Sequence, residues 1–103
     1  MAYTTSLAAL ADPTRRAVFE RLRSGPQAVG EIARDMPVSR PAVSQHLKAL
    51  KQAGLVRDEA RGSARIYRIH APALAELRDW LNSFWSDALE NFKAYAEGED
   101  DGR

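Results

Sequence analysis

Residues 73–96 place Leu74, Leu77, Trp80, Leu81, Phe84, Trp85, Ala88, Leu89, Phe92 and Tyr95 at helical spacing. At about 100° per residue these side chains fill an arc of about 180°, against about 100° for a helix that covers a single core. The whole chain has 103 residues. A chain of that size buries roughly 60–70% of its unfolded surface and builds one modest core. It has too little material to cover so wide an apolar arc, so the pattern predicts a second copy of the chain against this helix. The expected dimer interface is Leu77, Trp80, Leu81, Phe84, Trp85, Ala88 and Phe92. Leu7 and Leu10, from a short helix over 6–11, pack beside it. Core packing accounts for the aromatic area. The other reading is an apolar pocket at the interface, open to a small-molecule effector.

The rest of the chain is short, punctuated segments. Residues 1–5 read as loose. Asp12-Pro13 is a helix start, with Asp as N-cap and Pro at the first helical position. That helix ends at Gly25-Pro26. A short helix follows over about 28–35, with Val29, Ile32 and Ala33 apolar. Met36-Pro37-Val38 is a tight connection. Ser39 caps a longer helix that stops at Ala53-Gly54. Residues 55–61 and 64–70 flank Gly62-Ser63 and read as a β-hairpin. Pro72 opens the long helix. The expectation is a mainly α domain with a small β-hairpin, in the order α-α-α-α-β-β-α, dimeric. It spans residues 1–97 and is followed by a disordered acidic tail at 98–103.

The net charge of +1 hides an asymmetry. Residues 1–34 are net +2, residues 35–70 net +4 and residues 71–103 net −5. The basic middle is where an anionic partner docks. On the helix after Ser39, Val43, Leu47, Leu50 and Ala53 form a core face. The opposite face holds Arg40, Pro41, Ser44, Gln45, Lys48 and Gln52, with no acid among them. Arg and Lys suit guanine or phosphate, Gln suits adenine, and Ser suits either. A solvated face usually mixes signs; this one does not. A short helix, a tight turn and such a helix make a helix-turn-helix whose second helix enters the major groove of double-stranded DNA. Arg57, Arg61, Arg65 and Arg68 lie on or beside the hairpin, which then reads as a basic wing. Arg61 and Arg65 are the first candidates for backbone contact. The alternative is that these arginines pair with Asp58 and Glu59 and only keep the hairpin soluble.

Three stretches, LADPTRRAVFERL, VGEIARDMPVSRPAVSQHLKALKQAGLV and RGSARIYRI, resemble the arsenic-repressor (ArsR) family of winged helix-turn-helix regulators over residues 7–72. The resemblance implies a homodimeric bacterial repressor that binds an inverted-repeat operator. It implies that Ser39, Arg40, Pro41, Ser44, Gln45 and Lys48 occupy the DNA-reading stretch. Many relatives of this kind sense metals through a Cys-x-Cys pair before the recognition helix. Here Ala28 and Gly30 stand at those positions, and the chain has no Cys. The other familiar metal site uses His and acidic ligands on the last helix, and that helix carries no His. His46 and His70 are the only histidines, on different elements. The expectation is no metal, no cofactor and no response to thiophilic ions. An effector, small molecule or protein, is left open.

Catalysis has no support. Ser44 and His46 are two residues apart on a helix and do not face each other. No glycine loop suits a phosphate. His46 itself falls among the apolar positions and reads as packed or locally hydrogen-bonded. No apolar run approaches a membrane span, and no Lys or Arg precedes Arg15 to start a signal peptide, so the expected compartment is the cytoplasm. The competing reading is a winged-helix module that binds protein without specific DNA binding. An RNA-binding winged helix is a third, but it lacks an exposed aromatic platform for bases.

Overall fold

The computed structural model describes residues 2–100, and side-chain environments within 3–98. Helix α1 (Ala2–Leu10) leads into α2 (Pro13–Arg21), which closes in a 3-10 turn (Leu22–Ser24). Then come β1 (Gln27–Ala28), α3 (Val29–Arg34), α4 (Arg40–Gln52), β2 (Val56–Arg61), β3 (Ala64–Ile69) and α5 (Ala71–Asp100). The punctuation acts as expected. The Asp12 carboxylate accepts the Arg15 backbone N–H at 2.9 Å, with Pro13 at the first helical position. The Ser39 hydroxyl accepts the Ala42 N–H at 3.2 Å. At the start of α3 the Ala28 N–H donates to Glu31 Oε1 at 2.8 Å, the reciprocal half of a capping box. Gly62 opens the hairpin turn at φ +61°, the positive φ that a two-residue primed turn demands.

Val18, Leu22, Ile32, Val43, Leu47, Leu50, Leu55 and Val56 are fully buried and form the core beneath α2, α3, α4 and the hairpin. The sheet order is β1-β3-β2, all antiparallel, with Asp58 opposite Tyr67 and Gln27 opposite Tyr67 on the other edge. Alternation along β3 puts Arg65, Tyr67 and Ile69 on one face, and Tyr67 is buried in the core. The architecture is a winged helix-turn-helix, mainly helical with one small sheet.

Five expectations need correction. Residues 2–5 are helical rather than loose, because Tyr3 stacks on Trp80 with ring centroids 5.5 Å apart and anchors the start of α1 to α5. A two-residue strand, β1, pairs with β3 and adds a third strand to the expected hairpin. Helix α5 continues to Asp100, into the stretch read as a tail; residues 101–103 lie outside the described residues. Leu77, expected at the dimer interface, is 8% exposed and belongs to the chain's own core. It sits in the first turns of α5, where α1 and the core reach it. Leu10 is likewise packed against the core.

Beyond those turns α5 leaves the body. The molecule extends 70 Å by 26 Å by 22 Å. Leu81, Phe84, Trp85, Leu89, Phe92 and Tyr95 are exposed, with Trp85 at 65% and Phe92 at 70%. No helix among the described residues is long and apolar enough to cross a membrane.

Candidate nucleic-acid interface

Helix α4 is held by Val43, Leu47 and Leu50, each with no exposed surface. That anchoring turns Arg40, Pro41, Ser44, Gln45 and Lys48 outward, and all five are exposed. Ser39 is exposed too, but its oxygen caps the helix, which commits one of its two acceptor lone pairs. The Arg40 guanidinium lies beside Gly30 on α3; a methyl group on Gly30 would come within 3.5 Å of Arg40 Nη1. The Arg40 side chain thus joins α3 to the outward face of α4. His46 is partly buried, as a packed residue on the core side. Its Nδ1 is buried and has no hydrogen-bond partner among the described residues.

The wing stands beside α4 and is tied to it through one carboxylate. Asp58 on β2 is paired with Lys51 Nζ of α4 at 2.8 Å and with Arg65 Nε of β3 at 3.3 Å. Its side chain is only 6% exposed, while those of Lys51 and Arg65 are about half exposed, at 52% and 55%. The Lys51 hydrogen bond and the two nearby cations hold the Asp58 carboxyl below its ordinary value, against the opposing effect of burial. Lys51 has no counterpart in the sequence reading. Its partner is seven positions on and across a turn, a pairing that only the folded register creates. Together with Asp58, the residues Ser44, Gln45, Lys48, Lys51, Arg65 and Tyr67 line a polar cavity of about 370 Å3 between α4 and the wing.

The remaining wing arginines are also paired. Arg61 Nη2 meets Glu59 at 3.6 Å and Arg68 Nη1 meets the same carboxylate at 3.5 Å. Arg57 Nε donates to His70 Nδ1 at 3.1 Å. The expected pairing with Asp58 and Glu59 is therefore present. Exposed pairs of this kind are worth only about 0–1 kcal/mol, so an arginine can leave one for a phosphate at little cost.

A depressed carboxyl contributes stability above its unfolded value, and that contribution is lost as pH falls through the lower folded value. Asp58→Asn is expected to cost about 1–2 kcal/mol at pH 7, discounted for the half-exposed partners. Its deficit against the unchanged chain should shrink below about pH 4, where a carboxyl with an unfolded value near 3.9 protonates. Thermal midpoints of both proteins from pH 7 to pH 2 check this. A deficit that stays constant with pH would remove the charge from the account.

Among the described residues no three His, Asp or Glu side chains stand close enough to hold a metal ion.

Comparison with known proteins matches this geometry. Residues 10–59 match the family model described as a helix-turn-helix domain, the segment from the end of α1 to the first half of the wing. The HTH-type transcriptional regulator Rv2034 of Mycobacterium tuberculosis is 56% identical over 93 residues, covering 90% of this chain and 87% of that protein. The transcriptional repressor SdpR of Bacillus subtilis is 34% identical over 76 residues, covering 74% and 84%. Among solved structures, one is the homodimeric winged helix-turn-helix DNA-binding domain of a possible ArsR-family regulator from Mycobacterium bovis. It superposes with a TM-score of 0.67 at 29% identity, covering 87% of this chain and 83% of that one. With the fold, the basic recognition helix and the wing in place, the chain belongs to the ArsR family of DNA-binding winged helix-turn-helix transcriptional regulators.

Proposed function

We propose that this regulator is a homodimeric repressor. It binds an inverted-repeat operator, reads bases through Gln45 and Arg40, and is not controlled by thiophilic metals. The observation that carries the DNA reading is the acid-free, exposed outer face of α4, set beside a wing whose Arg61 and Arg68 are held only in weak surface pairs. Ser39, Pro41 and Ser44 line the approach of the helix to the groove, and Lys48, Arg61 and Arg65 meet phosphates. The exposed aromatic side of α5 supports the dimer, and the homodimeric relative supports the same assembly.

Gln45→Ala should relax preference at one base position by about 1–3 kcal/mol. Lys48→Ala should weaken all sequences alike and flatten the salt dependence by about one unit per lost phosphate contact. Binding titrations on matched and single-mismatch duplexes at several salt concentrations separate the two. An unchanged sequence preference in Gln45→Ala would remove Gln45 from base readout. A wild-type protein with no salt-dependent DNA affinity would favour the protein-binding module instead.

Metal control needs an ion that binds one conformation better than the other. Soft ions require thiolates, and the chain has none. Of its two imidazoles, His70 already accepts from Arg57 and His46 lies on another element. Asp79, Asp87 and Glu90 are exposed on α5, on the side away from its aromatic arc. One equivalent of arsenite, cadmium or zinc, or a chelator, is expected to leave operator affinity unchanged. A tenfold loss with any of them would contradict this. Regulation then falls to an organic ligand, a protein partner or the amount of repressor made.

A further inference from the structure

Two polar cavities of similar size flank the outer crest of α4, and Gln45 and Lys48 line both. One is the wing-side cavity described above. The other, of about 360 Å3, lies between α4 and the start of α2 and is lined by Arg15, Gln45, His46, Lys48, Ala49 and Gln52. It has cations and amides on its walls and no carboxylate. Asp12, the nearest acid in sequence, accepts the Arg15 backbone N–H as the α2 cap; its carboxylate is close enough to feel the charges of His46 and Arg15, though it does not line the cavity. That cap fixes the Arg15 backbone in the first turn of α2. The Arg15 side chain is half-buried, with its Nε unpartnered among the described residues, as is His46 Nδ1.

We propose that this second cavity is a phosphate-oxyanion site, in which Arg15, supported by Lys48, Gln52 and His46, takes a DNA backbone phosphate on the side of α4 away from the wing. The inference rests on the DNA reading above. A helix is about 10–12 Å across with its side chains, and the major groove is about 12 Å wide. A helix seated there has a phosphate backbone along each flank. The wing addresses one flank. On the other, the α2-side cavity presents Arg15 beside α4, a residue whose backbone is already ordered by its cap. Arginine at such a point offers a planar fork of donors that matches a phosphate.

The test compares the full-length protein with Arg15→Gln and Arg15→Lys, using the selected operator and an unrelated duplex over a range of salt. Arg15→Gln should lose about tenfold in affinity for both duplexes near 0.15 M salt, with the log–log salt slope smaller by about 0.9. Arg15→Lys should keep the slope. Should Arg15→Gln fail to fold, Gln52→Glu, on an exposed position, serves in its place. It should weaken binding about tenfold, whereas Ser86→Glu, the same charge change on the polar side of α5, should not. A parallel arm titrates inorganic phosphate into the DNA-free protein and follows the His46 ring nitrogens by NMR. Unchanged affinity and slope in Arg15→Gln, or equal losses in Gln52→Glu and Ser86→Glu, would overturn the proposal. So would a His46 response to inorganic phosphate with DNA binding intact in the variant, which would make the cavity a free-phosphate site. If the unmodified protein shows no salt-dependent DNA binding, the functional reading itself fails. If it does and only the Arg15 effect is missing, this site alone falls.

Discussion

Phe84→Asp or Phe92→Asp yields monomers or aggregates that no longer hold operator DNA. Both rings stand on the part of α5 that projects from the body: Phe84 meets the edge of Trp80 yet stays 56% exposed, and Phe92 is 70% exposed. Burying a phenylalanine contributes about 1.5–3 kcal/mol, and a two-fold interface uses each position twice. An aspartate there must instead be desolvated without a partner. DNA binding falls with the dimer because each half-site alone gains no benefit from the other's attachment. Linking two sites raises avidity by about 10²–10⁴, and that factor is what the variants lose. Sedimentation at micromolar protein, with the operator titration beside it, reads both effects. A stable monomer for the unmodified chain would contradict the assembly.

Leu47→Ala is expected to cost about 2–5 kcal/mol. Leu47 has no exposed surface and lies on α4 between Val43 and Leu50, under the face proposed to meet DNA. A domain of this size holds about 5–15 kcal/mol in all, so the variant should melt far lower and bind DNA more weakly where α4 loosens. Denaturant midpoints check the first effect. A loss below about 1 kcal/mol would mean that the site collapses around the smaller side chain.

The helix boundaries around α2 and α4 were legible because they are local chemistry. Asp12-Pro13, Ser39, Gly54 and Gly62 act within three or four residues of themselves. The core face of α4 was legible from its period, and so was the outward basic face. What was not legible depends on distant partners. Strand β1 is two residues long, below any periodic signal, and exists because Tyr67 and Ile66 offer an edge to Gln27 and Ala28. The helical start of α1 depends on a ring stack with Trp80, and Leu77 counts as core only because α1 and the body reach the first turns of α5. The Lys51–Asp58–Arg65 link and the cavity between Arg15 and His46 each join residues from separate elements. Neither is visible in the residue types; only the fold brings the groups together. The wing arginines carried a true ambiguity: they are exposed and basic, and they are also paired.

The most direct measurement is selection of bound sites from random duplex DNA with the unmodified protein. The account predicts one enriched sequence, an inverted repeat whose half-site centres lie about 34–36 Å apart, or a multiple of that. Enrichment of a single unrepeated half-site would contradict the dimeric reading, and no enrichment at all would contradict sequence-specific DNA binding through α4.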